Sequence, residues 1–421
     1  MKLDLQTDRT LIRAAARSTR YLAASFVAPA APRRDMRPPV NVALVLDRSG
    51  SMAGEKIALA RRAVEQALHT LQSRDRFSLV VYDDLVDVLV ESTPATTESK
   101  ARALGLLETI EPRNATDLSG GWLRGCEQVA LHAREEWVNR CLLLTDGLAN
   151  RGITDRGELT RHASALRERG VHTSTFGVGA DFDERLLRDM AHTAAGHFYF
   201  IEFPAQIPDL LTSELGEALE VVMRGAVLEV VLPAGARAEP LHRYRVCPSD
   251  DGNELRIELG DLVSDQEVSV VVKVEFPTGE SGAQTGVILS LTDREGSVFA
   301  PSEALRWTWA GHAENDGQSR NRVVDRQVAA LYAARARAEA TECNRAGAYE
   351  RARHVLSATA KRIRSYAGND PELNRIADEL LREQEEVYSV PMASLQLKSA
   401  FFAAQAMMEH RTPTGQARRS Y

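Results

Sequence analysis

The sequence is poor in the features that mark several broad classes of protein. Its four cysteines, Cys126, Cys141, Cys247 and Cys343, stand far apart with no C-x-x-C pair. That spacing argues against a zinc ribbon or a disulfide framework and fits a reducing, cytoplasmic compartment. No window approaches the roughly 18–20 apolar residues of a membrane-spanning helix. One leader-like stretch, YLAASFVAPAAP at 21–32, begins late and follows Asp4 and Asp8, where a leader would carry positive charge. Basic residues are outnumbered 52 to 59, leaving a net charge of −7 and a pI near 5.9. No basic field is therefore available for nucleic acid or an anionic membrane surface. Phosphate-cradling loops are missing too: GVGADF at 177–182 has too few glycines for a dinucleotide fingerprint, and no G-K-S/T follows Gly54 and Glu55.

What is present is an apolar content of 44% over 421 residues, enough for two or three domains with real cores. From 40 to about 222, short β-rich runs alternate with helical periods. The strand candidates are VNVALVLD, RFSLVVYD, VDVLVES, NRCLLLTD, VHTSTFGVG and GHFYFIE, with helices near 55–72, 97–109, 119–136, 156–169, 182–193 and 205–222. Nearly continuous apolar strands separated by helices predict a doubly wound, mostly parallel α/β sheet covered on both faces. VDVLVES follows its predecessor too closely for a parallel crossover and is expected as an antiparallel edge strand.

After 224 the period changes. Leu255, Ile257 and Leu259, then Val268, Val270, Val272 and Val274, then Val287, Leu289 and Leu291 alternate, as in an antiparallel β-sandwich. About 85 residues are few for a closed sandwich. The early run TLIRAAARSTRYLAASFVAP also reads as strand, so the chain is expected to begin in the β-domain, leave it and return. From about 320 the helical period resumes, with Val324, Val328, Leu331 and Tyr332 on one face, then Ala352, Val355, Leu356 and Ile363, then Leu373, Ile376 and Leu380. Asp370 caps the third of these helices, with Pro371 at its first position. AGAYERARHVL is faintly similar to a helical-repeat unit, but without a second copy the region reads as a helical hairpin. The expected organisation is a β-segment over 1–37, an α/β domain over 38–222, a sandwich over 223–312, helices over 318–410 and a mobile polar tail over 411–421.

In an open parallel sheet, ligands bind outside the carboxyl ends of the strands. Asp47, Ser49 and Ser51 follow the first strand of the α/β region, Thr116 lies in the loop before a helix, and Asp146 ends the strand LLLTD. Two carboxylates and three hydroxyls from three loops form a hard oxygen set suited to Mg²⁺, Mn²⁺ or Ca²⁺. In this order and on these strands, DRSGSM, TDL and LLTDG resemble the metal-ion-dependent adhesion site of the von Willebrand factor type A family, over about residues 40–222. The resemblance implies that Ser49, Ser51 and Thr116 reach an ion, Mg²⁺ first among them, directly or through water. It implies that Asp47 and Asp146 hold coordinating waters, and that an exposed Asp or Glu of a partner protein fills the remaining position. The loop reads RNATD where relatives often carry glycines, so Asn114 and Ala115 restrict it more than glycine would. The order of domains is similar to that of inter-alpha-trypsin inhibitor heavy chains and their bacterial relatives.

Each residue also has a plainer reading. Asp47 and Asp117 could cap helices, Thr116 could cap as well as ligate, and Asp146–Gly147 is a common turn pair. His172, His192 and His197 lack zinc-type spacing and read as core or surface histidines. A rival function is an Mg²⁺-dependent hydrolase of haloacid-dehalogenase type, which places an aspartate after the first strand. That chemistry needs a second acid two residues on, where this chain has Ser49. A further alternative is a partner subunit of a ring-forming ATPase.

Overall fold

The computed structural model describes residues 1–31, 37–113, 115–250 and 252–419. Asn114 lies outside them. The chain divides into two compact units, one made of 1–30 with 222–421 and the other of 31–221. It opens in the first unit with β1 (Asp4–Thr7), β2 (Leu11–Arg13) and β3 (Ser18–Val27).

The α/β unit follows: β4 (Val40–Asp47), α1 (Glu55–Thr70), β5 (Arg76–Tyr82), β6 (Val86–Pro94), α2 (Thr97–Leu107), α3 (Leu118–Ala130), β7 (Val138–Thr145), α4 (Arg156–Glu168), β8 (His172–Val178), α5 (Glu184–Thr193), β9 (Phe198–Ile201) and α6 (Ile207–Leu219). The sheet order is β6-β5-β4-β7-β8-β9. All pairings are parallel except β5–β6, where the short connection enforces the antiparallel turn. Every residue of β4 and β7 is buried, which is why these central strands lack the polar alternation of a one-faced sheet. The chain winds outward from β4 to β5 on one side and reaches β7 on the other. The β4/β7 boundary is therefore the switch point where a doubly wound sheet opens a crevice.

Glycines let α3 lie down on this centre. A Cβ at Gly125 would stand 2.2 Å from Val45 Cγ2, and one at Gly121 would stand 2.4 Å from the Tyr82 ring. The helix expected over 119–136 stops at Ala130, and the polar stretch after it turns before β7.

The other unit resumes with β10 (Val221–Val231), β11 (Arg237–Pro240), β12 (Arg245–Pro248), β13 (Glu254–Val263), β14 (Glu267–Phe276), β15 (Gln284–Thr292) and β16 (Phe299–Ala310). Its two sheets run β1-β3-β14-β11 and β12-β13-β10-β15-β16-β2. β3 pairs with β14 along its whole length, from Val27↔Glu267 to Ser18↔Phe276, so the opening segment fills the middle of a sheet. One pair departs from the antiparallel expectation: β2 runs parallel to β16, because it enters as a short separate segment and not through a hairpin. The two inner faces meet in one core that includes Leu22, Phe26, Leu228, Ile257, Val270, Val272, Leu289 and Trp307.

The helical region is α7 (His312–Gly317), α8 (Arg322–Arg345), α9 (Tyr349–Ala367), α10 (Pro371–Glu386) and α11 (Ser394–Met408). It is more than a hairpin, since α8 is shared by three packing surfaces. Val324, Val328 and Leu331 close over Ala23 and Val271 on the outer face of the β3–β14 pair. Ala329, Ala333, Ala336 and Ala340 pack in one cluster with Leu356, Ile363, Leu373 and Leu380 of α9 and α10. Ala334 meets Ala404 and Met408 of α11. The tail expected to be mobile is held over its described residues. Glu267 N–H donates to Arg418 O at 2.9 Å, and Arg411 bridges to Ala417. Backbone pairing anchors it in spite of its polar side chains. Among the described residues no helix is long and apolar enough to cross a membrane.

Candidate functional site

The five residues singled out in the sequence lie at the carboxyl end of the sheet. Asp47 is the last residue of β4 and fully buried. Its Oδ1 accepts from Ser49 N–H at 2.7 Å and its Oδ2 from the Thr145 hydroxyl at 2.7 Å. Among the described residues no cationic side chain pairs with it. Burial pushes its carboxyl up to about 6, with Asp146 adding to the rise and the Ser49 and Thr145 hydrogen bonds opposing it.

Ser51 faces the other carboxylate. Ser49 Oγ and Ser51 Oγ are 3.1 Å apart, and Ser51 Oγ donates to Asp146 Oδ1 at 2.6 Å. Asp146, 1% exposed, follows β7 directly. Thr116 comes from a third segment. A Cβ on Gly147 would stand 3.4 Å from Thr116 Oγ1 and 4.0 Å from Ser51 Oγ, so the threonine hydroxyl and the Ser51 hydroxyl flank one small space above Gly147.

Two loops are tied together to make this arrangement. Arg113 N–H donates to Arg48 O at 2.8 Å, and Ser49 bridges to Arg113. Asp117 N–H donates to Asp83 O at 2.7 Å, and Thr116 N–H donates to Asn150 Oδ1 at 3.1 Å. Asp117 is the cap of α3, accepting from Gly120 N–H at 2.8 Å, so Thr116 is spared that task. Below the loops Arg48 and Arg113 both engage Asp83, at 3.2 and 2.7 Å, which takes these guanidinium groups away from Asp47 and Asp146.

Sequence reading missed three contributors. Thr145 precedes Asp146 and had no motif of its own. Asn150 acts through a loop carbonyl and amide. Lys56, the second residue of α1, pairs with Asp146 Oδ2 and donates to Ser51 O at 3.2 Å. Its signal was only its place five residues after Ser51. His197 has acidic neighbours: its Nδ1 is 3.0 Å from Glu214 Oε2, with Glu217 in the same cluster. Both glutamates come from α6, a relation that spacing along the chain hides. Tyr199 Oη donates to the same Glu214 oxygen at 2.6 Å.

Known proteins identify the fold of the α/β unit. Residues 41–213 match the von Willebrand factor type A domain model, and the α/β unit is a domain of that fold. Such domains are typically metal-dependent protein-interaction modules. The chain is 27% identical over 278 residues to the uncharacterized protein sll0103 of Synechocystis sp., covering 63% of this chain and 65% of that one. It is 25% identical to YfbK of Escherichia coli, covering 46% and 34%. To human inter-alpha-trypsin inhibitor heavy chain H1 it is 31% identical, over 34% and 17%. The chain thus spans less than two thirds of each of these relatives. Among solved structures, a von Willebrand factor type A protein from Catenulispora acidiphila superposes with a TM-score of 0.70 at 17% identity, covering 100% of this chain and 97% of that one. The ArnB paralog VWA2 of Sulfolobus acidocaldarius gives 0.58 at 17% identity, covering 97% and 98%. At this identity the likeness is one of fold, and it extends through the β and helical elements.

Proposed function

We propose that Asp47, Ser49, Ser51, Thr116 and Asp146 hold one divalent ion, Mg²⁺ first and Mn²⁺ or Ca²⁺ as substitutes, and that the chain uses it to bind a protein partner. The observation that carries this reading is Asp47, a fully buried carboxylate that accepts from uncharged groups, hydroxyls and a backbone N–H. A buried charge without a countercharge is costly, and a cation at the neighbouring hydroxyls would relieve it. The donor set fits a hard ion: every candidate ligand is oxygen and none is thiolate or imidazole. When bound, the ion supplies a positive centre with room for an outside ligand. The hydroxyls of Ser49, Ser51 and Thr116 orient it while bringing no charge. Five donors leave a shell of about six one short, and an exposed Asp or Glu of the partner is the ligand that completes it.

Hydrolysis has no comparable support. Ser49 stands where a haloacid-dehalogenase-like enzyme needs its proton donor, so this chain is read as a binding module and not an enzyme. No observation favours a ring-ATPase partner over any other protein. The test is affinity capture from lysate with parent protein and Thr116→Ala, each with Mg²⁺ or EDTA. A partner held by the parent in Mg²⁺ and lost in the other three conditions supports the reading. A partner that survives both EDTA and Thr116→Ala moves the recognition surface elsewhere.

A further inference from the structure

Lys56 stands at the edge of the site with its side chain 27% exposed, against an Asp146 side chain with no exposure. The Asp146 carboxylate is divided between two partners: Oδ1 accepts the Ser51 hydroxyl, and Oδ2 accepts the Lys56 ammonium. The same ammonium reaches Ser51 O, so it is held over the loop that carries both serines. The guanidinium groups of Arg48 and Arg113 are engaged instead with Asp83 and Asp87.

We infer that Lys56 leaves the ion one negative charge short of neutrality, and that this shortfall makes a carboxylate, and not water, its preferred outside ligand. The inference rests on the metal reading above. Asp47 and Asp146 bring two negative charges, the three hydroxyls bring none, and Lys56 returns one positive charge. A divalent ion in that frame keeps a net charge of one, which a single partner Asp or Glu balances. With a neutral residue at 56 the two aspartates balance the ion by themselves. The site would then bind its ion more tightly and attract an outside anion less. Lys56 thus acts as a positioning and charge-setting residue. A purely orienting role, in which the lysine only steers Asp146, has the opposite sign: losing it would weaken the ion.

The experiment uses the full chain at pH 8 and low salt. Free Mn²⁺ is followed by electron paramagnetic resonance, and acetate is then titrated onto the Mn²⁺-loaded protein, read by water-proton relaxation. Lys56→Met should bind Mn²⁺ about tenfold more tightly and acetate about tenfold more weakly, the size expected for one charge a few ångströms from a divalent ion near water. Lys56→Arg, which keeps the charge, should stay within about threefold of the parent for both. Unchanged or weaker Mn²⁺ binding by Lys56→Met, or unchanged acetate binding, overturns the inference. Should the parent bind no Mn²⁺, or bind it equally well as Ser49→Ala and as Asp146→Asn, the metal reading itself fails and the inference goes with it.

Discussion

The two ends of the α/β sheet each bury an aspartate completely, and they treat it in opposite ways. At the amino end Asp75 lies just before β5. Arg37 Nη1 donates to its Oδ1 at 2.9 Å and Nη2 to its Oδ2, with Val40 N–H and Gln72 N–H donating at 2.9 and 2.7 Å. Every lone pair has a donor and the charge has a countercharge. At the carboxyl end Asp47, equally buried, has only uncharged donors, hydroxyls and a backbone N–H. The first aspartate is part of what holds the fold together. The second is stabilised poorly by its surroundings, a usual mark of a residue kept for binding. Burial alone therefore does not separate these two aspartates; the presence of a countercharge does.

The largest expected effect breaks the closed end. Asp75→Asn leaves Arg37 buried without its partner, which should cost about 3–5 kcal/mol and lower the melting temperature of the α/β unit by about 10 °C. Mn²⁺ affinity of the folded protein should stay near that of the parent. The open end should respond in the reverse direction. Asp47→Asn in EDTA at pH 8 should stabilise the α/β unit, by up to about 3 kcal/mol, because it removes a carboxylate that ionises reluctantly. Hydrogen exchange along Val40–Leu46 reads this locally, and destabilisation there would erase the contrast between the two ends.

A third measurement follows from the same raised carboxyl. A folded-state value of about 6 against an ordinary 3.8 means that the folded protein binds this proton more tightly than the unfolded chain does. The stabilising contribution is complete below about pH 3.8 and is lost as pH rises through 6. In EDTA the α/β unit should lose stability across that window, Asp47→Asn should lack this loss, and Mg²⁺ should offset it in the parent by favouring the ionised form. His242 in the other unit has the contrary sign. Burial, with His410, Arg335 and Arg418 nearby, lowers it to about 3, so its contribution is present above about 6.5 and falls away on acidification. Opposite pH slopes in the two units are expected. The smallest effect on the fold is that of Thr116→Ala. In EDTA its melting temperature should match the parent within about 1 °C, because the backbone bonds that hold Thr116 to Asn150 survive in alanine, while the rise produced by Mg²⁺ should be reduced.

Local pattern carried much of the α/β unit. VNVALVLD and NRCLLLTD are apolar throughout because both faces of β4 and β7 are covered, and composition records that directly. Asp47, Ser49 and Ser51 were legible because one turn of chain carries all three. Lys56 and Thr145 were not, since each acts through a carboxylate placed by tertiary pairing. In the β unit, Val268, Val270, Val272 and Val274 gave the buried face of β14. Val271 breaks that alternation for a reason found only in space: α8 covers the second face. The parallel β2–β16 pair and the anchored tail were hidden because backbone hydrogen bonding across hundreds of residues leaves no periodic trace in the side chains.

The pairing of β3 with β14 also sets a clock. Val27 meets Glu267, so the strand Ser18–Val27 must wait while about 240 further residues are made before its neighbour exists. At ribosomal rates of about 5–20 residues per second, that interval is on the order of ten to fifty seconds. For that time β3 has β1 on one side and an open edge on the other. The α/β unit, completed by residue 221, can fold first. A pause or a nascent-chain chaperone acting between these two events would protect an apolar strand whose partner has not yet been synthesised.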